Sequence, residues 1–240
     1  MNISRRYNLV EVILALGVVA IGVVSIMALF PIGANASRDA SMETYAANVS
    51  DEMLQFIKYR LKEVDDDDKQ DDIDNRWNAM IGNADNNGAI QKKASDDNLR
   101  TALTFDSTDK LDDKNEWEWN DSNSNIFGTV FKSSHTIYPH KTREQVFQLL
   151  SHRNTKDVEL GDTNDSDPKK DFASNVDFRA LAYIWKEQIV IDQTQADDSK
   201  VPYTSGVRII VRVTWPAEIP YDARQKADYV LEVFKPIIQE

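Results

Sequence analysis

From Leu9 to Phe30 the apolar positions neither alternate nor recur with a helical step; they run on, with Glu11 and Ser25 the only polar side chains among them. A helix of roughly 22 residues at 1.5 Å each covers about 33 Å, enough for a bilayer's hydrocarbon core. The run is longer than the apolar core of a cleaved secretory signal. Pro31 and Gly33 follow it, and because proline withdraws a backbone donor, a kink or a loosened turn is expected there. The pattern then changes. Met42, Tyr45, Ala46, Val49, Met53, Phe56, Ile57, Leu61 and Val64 return at steps of three and four, the stripe of an amphipathic helix. The two patterns together predict one helix of about 55 residues, membrane-embedded in its first half and packed on its own domain in its second.

Beyond this helix the pattern is sparser. Asp65 to Asp72 is almost wholly acidic and predicts a solvated loop. The whole stretch 65–125 reads as acidic loop, pinned to a core by Trp77, Met80, Ile81, Leu99, Leu103, Phe105, Leu111, Trp117 and Trp119. Within it Trp117-Glu118-Trp119 alternates as a short strand does, and Ile126 to Phe131 is a second candidate. Thr142-Arg143-Glu144-Gln145 has the spacing of a capping box and predicts a short helix over Val146 to Ser151. Residues 154–170 form another acidic loop.

Toward the carboxy terminus the period becomes two. Val207, Ile209, Val211, Val213 and Trp215 alternate with Arg208, Ile210, Arg212 and Thr214, predicting a half-buried strand that Pro216 ends. Ala227 to Lys235 reads as its returning partner, with Tyr229, Leu231 and Val233 on one face, and Phe178 to Trp185 as a third strand. The predicted class is α+β: a long amino-terminal helix whose amphipathic half packs on a carboxy-terminal antiparallel sheet.

Charge narrows the function. All but Arg5, Arg6 and Glu11 of the chain's 28 basic and 40 acidic residues follow Phe30, and the net charge is −12. Such a surface repels nucleic acid and anionic lipid headgroups, so no nucleic-acid partner is expected. Arg5 and Arg6 before the apolar run place the amino terminus in the cytoplasm and everything after Phe30 outside it. With no cysteine, the outer part must hold together without disulfides. The histidines His135, His140 and His152 match no zinc spacing and read as surface or loop residues. No nucleophile elbow or glycine-rich phosphate loop is present, so an enzyme is not expected. Asn83, Asp85 and Asn87 place oxygens at alternate positions, with Gly88 at the turn and Ile90 beyond, as at the opening of a calcium loop. Ala94 stands where that loop's bidentate glutamate belongs, and a solvated turn is the other reading. Asp121 to Asn125 shares the oxygen spacing without the glycine.

One problem is left by the apolar run: Glu11 costs several kcal/mol in lipid unless something compensates its charge. Tyr7-Asn8-Leu9-Val10-Glu11, with the apolar residues that follow, resembles the amino-terminal motif of type IV pilins and pseudopilins, in which a G-F-T-L-V-E pattern maps onto Arg6 to Glu11. Arg6 stands where that family has glycine, and Tyr7 where it has phenylalanine. The resemblance implies a leader of residues 1–6, cut between Arg6 and Tyr7 by a prepilin peptidase, with N-methylation of Tyr7. It implies a transmembrane and fibre-core segment over 7–31 and an extracytoplasmic pilin-like domain over 32–240. Glu11 would pair with the free amine of a neighbouring subunit, and Gly17, Gly22 and Pro31 would give the helix flexibility for bundling.

The partners implied are other pilin-like subunits, the peptidase, an inner-membrane assembly platform and membrane lipid. The implied role is a minor pilin or pseudopilin of a type IV pilus or type II secretion-like fibre, stored as a single-pass protein of the inner membrane. No cofactor is implied beyond the calcium that some pseudopilins bind. Arg6 supports an alternative, a permanently anchored single-pass protein with an extracytoplasmic binding domain.

Overall fold

The computed structural model describes residues 9–63, 70–82, 88–105, 111, 116–117, 127, 136–143, 145–152, 176–192 and 199–237. Helix α1 spans Leu9–Lys62, a single helix of 54 residues that joins the apolar run to the amphipathic stripe. It passes through position 31 unbroken, so the loosening expected at Pro31 does not divide it. The chain separates into two units, Met1–Thr44 and Tyr45–Glu240. In the first, the hydroxyls of Ser25, Ser41 and Thr44 donate to the carbonyls of Ile21, Ser37 and Ala40 one turn back, which satisfies them without a partner from elsewhere.

In the second unit the stripe is buried as its period requires. Ala46, Val49, Met53, Ile57 and Leu61 are covered, together with Leu54 and Ser50, whose hydroxyl donates to the Ala46 carbonyl at 2.5 Å. Tyr45 lies toward the rim and packs its ring 5.9 Å from Phe178. Val64 lies outside the described residues. The surface α1 meets is a five-stranded antiparallel meander, β1 (Ile137–Pro139), β2 (Val146–His152), β3 (Val176–Glu187), β4 (Gly206–Trp215) and β5 (Gln225–Phe234), in sequence order. Pairings such as Ala182 with Val213 and Val211 with Tyr229 fix which side chains share the helix-facing side.

Val146 to Ser151 is strand β2, not the helix that the capping-box spacing predicts. Phe147 and Leu149 point to one side of the sheet and Val146 and Leu150 to the other, and all four are buried. A helix would expose part of that set. The groups expected to cap are used elsewhere: the Thr142 backbone N–H donates to Nδ1 of His140, and the Gln145 amide donates to the Ile184 carbonyl.

The acidic stretch is also more ordered than its composition predicts. Helix α2 (Gln70–Met80) takes in Asp71 and Asp72, which sit in its first turn, where a helix's exposed N–H groups favour negative charge. Helix α3 (Asp96–Ala102) begins at Ser95, whose hydroxyl accepts from the Asn98 N–H. The anchors Trp77, Met80, Ile81, Leu99, Leu103, Leu111 and Trp117 are buried, and Phe105 partly so. Trp117 bridges His140 in antiparallel fashion. Phe127 is helical and not strand, and the rest of 126–131, Trp119 and 154–170 lie outside the described residues.

Strand β4 is buried on both sides, not half-buried: Ile210 and Thr214 are covered as well as the alternating valines, and only Arg208 and Arg212 are part-exposed. The second layer belongs to Leu99, Leu103, Leu111 and Trp117, which pack over Tyr138, Tyr183, Trp185 and Ile210. Arg224 fastens it, donating from its buried guanidinium to the carbonyls of Leu103, Ala217 and Ile219. Burial pushes that guanidinium's pKa down.

Candidate functional site

The most unusual surface of the described chain is the first half of α1. Its large apolar side chains are exposed, from 45% at Val12 to 75% at Leu9 and Phe30. Its most apolar window has a mean hydropathy of 2.9 and no buried residue, and the helix is long and apolar enough to cross a membrane. A continuous apolar surface of this kind is suited to cover by lipid or by other apolar helices. Glu11 lies in its first turn. Val10, Leu14, Ala15, Val18 and Val19 lie beside it on one exposed side of α1. The arrangement is one negative charge at one end of an otherwise uncharged apolar surface.

Gly17 and Gly22 belong to the same surface. A Cβ added at either would meet nothing within 4 Å, so their lack of a side chain answers to no packing demand among the described residues. Arg6 and Tyr7, the expected cleavage and methylation positions, lie outside the described residues. So do Asn83, Asp85 and Asn87. Among the described residues no group of three or more His, Asp or Glu could hold a metal ion.

The residues flanking that loop give its glycines a structural role. Gly82 adopts a φ of 64°, and a Cβ at Gly88 would overlap the backbone of Ile81. The close approach is held by the N–H groups of Ala89 and Ile90, which donate to the carbonyls of Ala79 and Met80 at 2.9 and 2.8 Å. Chain packing thus requires glycine at position 88.

Two buried groups escape sequence reasoning. His140, expected at the surface, is buried; its ring lies 4.9 Å from Trp117 in an edge-on contact and 5.7 Å from Phe105. Its Nδ1 accepts from the backbone N–H groups of Thr142 and Arg143, both at 3.2 Å, so it organises the turn between β1 and β2. Lys186 is buried on the helix-facing side of β3, where its ammonium donates to the Ile81 carbonyl and lies 5.0 Å from the Tyr203 ring centre. Burial, aided by the nearby charge of Lys92, pulls its pKa down to about 8. His140 carried no period signal. Lys186 closes the alternation Ala180, Ala182, Ile184 on one side of the strand, which was the one available hint.

No known family model matches this chain, and no curated protein or solved structure matches it.

Proposed function

We propose that this chain is a membrane-anchored, pilin-like fibre subunit, a minor pilin or pseudopilin, whose amino-terminal helix serves first as anchor and then as fibre core. The observation that carries this reading is Glu11, a carboxylate in the first turn of an exposed apolar helix that continues unbroken into the core of a folded α+β unit. An unpaired charge is costly in an apolar setting, so Glu11 needs a cationic partner once the helices bundle. A neighbouring subunit's amine at Tyr7 supplies one, and cutting after Arg6 creates that amine. The chain sits in the inner membrane with residues 1–6 cytoplasmic and the α+β unit outside.

Intact-mass analysis of the protein from its native host tests this. The expected species begins at N-methylated Tyr7, with Glu11→Ala retained in the membrane but lost from fibres. Arg6→Gly should increase both cleavage and assembly. A chain that keeps Met1 to Arg6 and ignores Glu11→Ala would overturn the proposal in favour of a permanent single-pass anchor, the reading that Arg6 favours.

A further inference from the structure

His140 closes the turn between β1 and β2 from the inside. Two backbone N–H groups, those of Thr142 and Arg143, converge on its Nδ1 at 3.2 Å. A ring nitrogen that accepts hydrogen bonds carries no proton, so the imidazole is neutral with its proton on Nε2. The same short segment holds part of the second layer. Trp117 bridges His140, and the Lys141 N–H donates to the Glu116 carbonyl at 2.9 Å. Trp117 in turn packs with Leu99, Leu103 and Leu111 over the sheet.

A second proton on this ring would go to Nδ1, where both N–H groups already point, so both hydrogen bonds would be lost at once. The Thr142 hydroxyl, 3.3 Å from Nδ1, can turn to serve either form, but the backbone donors cannot. Among the described residues, the charges around the ring act in opposite directions. Glu116 has a carboxylate oxygen 3.7 Å from Nε2 and favours the imidazolium, yet its side chain is 37% exposed and water screens the attraction. Arg143 opposes a second positive charge, although its guanidinium lies over Phe105 and donates to the carbonyls of Ala102 and Thr104. Lys141 is exposed. Burial of the ring and the two backbone donors work against the imidazolium together, and they outweigh one screened carboxylate.

We infer that His140 is an acid-sensitive latch, whose protonation opens the 140–143 turn and releases Glu116 and Trp117 from the second layer. The open turn takes up a proton near pH 6.5, about where histidine ordinarily does, and the closed turn excludes it. The closed form is therefore fully stable above that pH, and opening becomes easier as pH falls below it.

Asparagine at position 140 offers a side-chain oxygen to the same backbone donors and does not titrate. Hydrogen–deuterium exchange of the full-length chain in detergent, parent against His140→Asn at each pH, cancels the intrinsic pH dependence of exchange. Between about pH 7 and about pH 5 the amides of Lys141, Thr142 and Arg143 should lose about tenfold more protection in the parent than in the variant, while those of β3 and β4 stay protected. Glu116→Gln, which removes the screened attraction, should deepen that loss. Parallel protection in parent and His140→Asn, or protection in the parent that rises toward acid, would overturn the inference. So would a loss spread evenly over β3 and β4, which is acid unfolding of the whole unit. Should His140→Asn fail to fold, NMR titration of isotope-labelled histidine in the parent makes the same test, with His135→Gln and His152→Gln assigning the signals. The His140 ring should stay neutral well below the ordinary value of about 6.5, and protonation at or above it would overturn the latch.

Discussion

Lys186→Met separates the cost of burying a charge from the value of the hydrogen bond that the charge makes. In the folded chain the ammonium's pKa falls from 10.5 to about 8, first through burial and then through Lys92. That difference corresponds to about 3 kcal/mol set against the charged form. The sign follows from proton counting. Below about pH 8 both folded and unfolded chains hold the proton, and the full cost is present. Between about pH 8 and the ordinary lysine value the unfolded chain keeps its proton while the folded chain has lost it, so stability rises with pH.

Methionine fills a similar volume and does not titrate. It also loses the donor to the buried Ile81 carbonyl, which costs roughly 1–3 kcal/mol at any pH, because a neutral amine still donates. The two terms nearly cancel at neutral pH, so one measurement there decides little. Their pH dependence decides. The stability of the parent relative to Lys186→Met should increase by about 2–3 kcal/mol between about pH 7 and pH 10, the background titration of all other groups cancelling in the difference. Urea unfolding of both proteins followed by tryptophan fluorescence reads this quantity. A difference that stays flat within about 0.5 kcal/mol would refute the claim that Lys186 is held in a desolvated place.

Gly88→Ala should lower stability by roughly 1–3 kcal/mol, read as a drop in Tm, because its Cβ would overlap the Ile81 backbone, which cannot swing aside as a side chain can. Trp215→Ala should cost roughly 3–5 kcal/mol in urea melts, since the indole is 3% exposed at the end of β4; a loss under about 1 kcal/mol would mean that this end of the strand is not core.

The long helix was legible because two distinct patterns run along it. An unbroken apolar run has no preferred side and calls for surroundings that are apolar all round. A stripe at steps of three and four calls for one covered side. Strands β3, β4 and β5 were legible through period two, yet β4 proved buried on both sides because the layer carrying Leu99 and Trp117 comes from a stretch too acidic to announce itself. Helix α2 has a readable stripe in Ile73, Trp77 and Met80, but the acidic run that predicts a loop carries Asp71 and Asp72 into its first turn. Strand β2 was misread because a segment buried on both sides, Val-Phe-Gln-Leu-Leu, has no period to distinguish strand from helix, and a capping-box spacing then tipped the reading the wrong way. His140 and Lys186 were illegible for a different reason. Their burial depends on partners far along the chain, the Ile81 carbonyl and the Trp117 ring, that only the fold brings near.

Glu11 stands apart from all of these. Its oddity is plain in sequence, one carboxylate beside an apolar run, and the fold leaves it on an exposed surface lined by Val10, Leu14 and Ala15. A buried polar group such as Lys186 finds its compensation within the chain. The surface beside Glu11 instead demands a covering of lipid or apolar helices, because apolar side chains so widely exposed are unstable in water. On the reading proposed above, lipid would cover the apolar side chains, and a bundle of like helices would cover them and also offer Glu11 an amine. On that ground we propose assembly over simple anchorage.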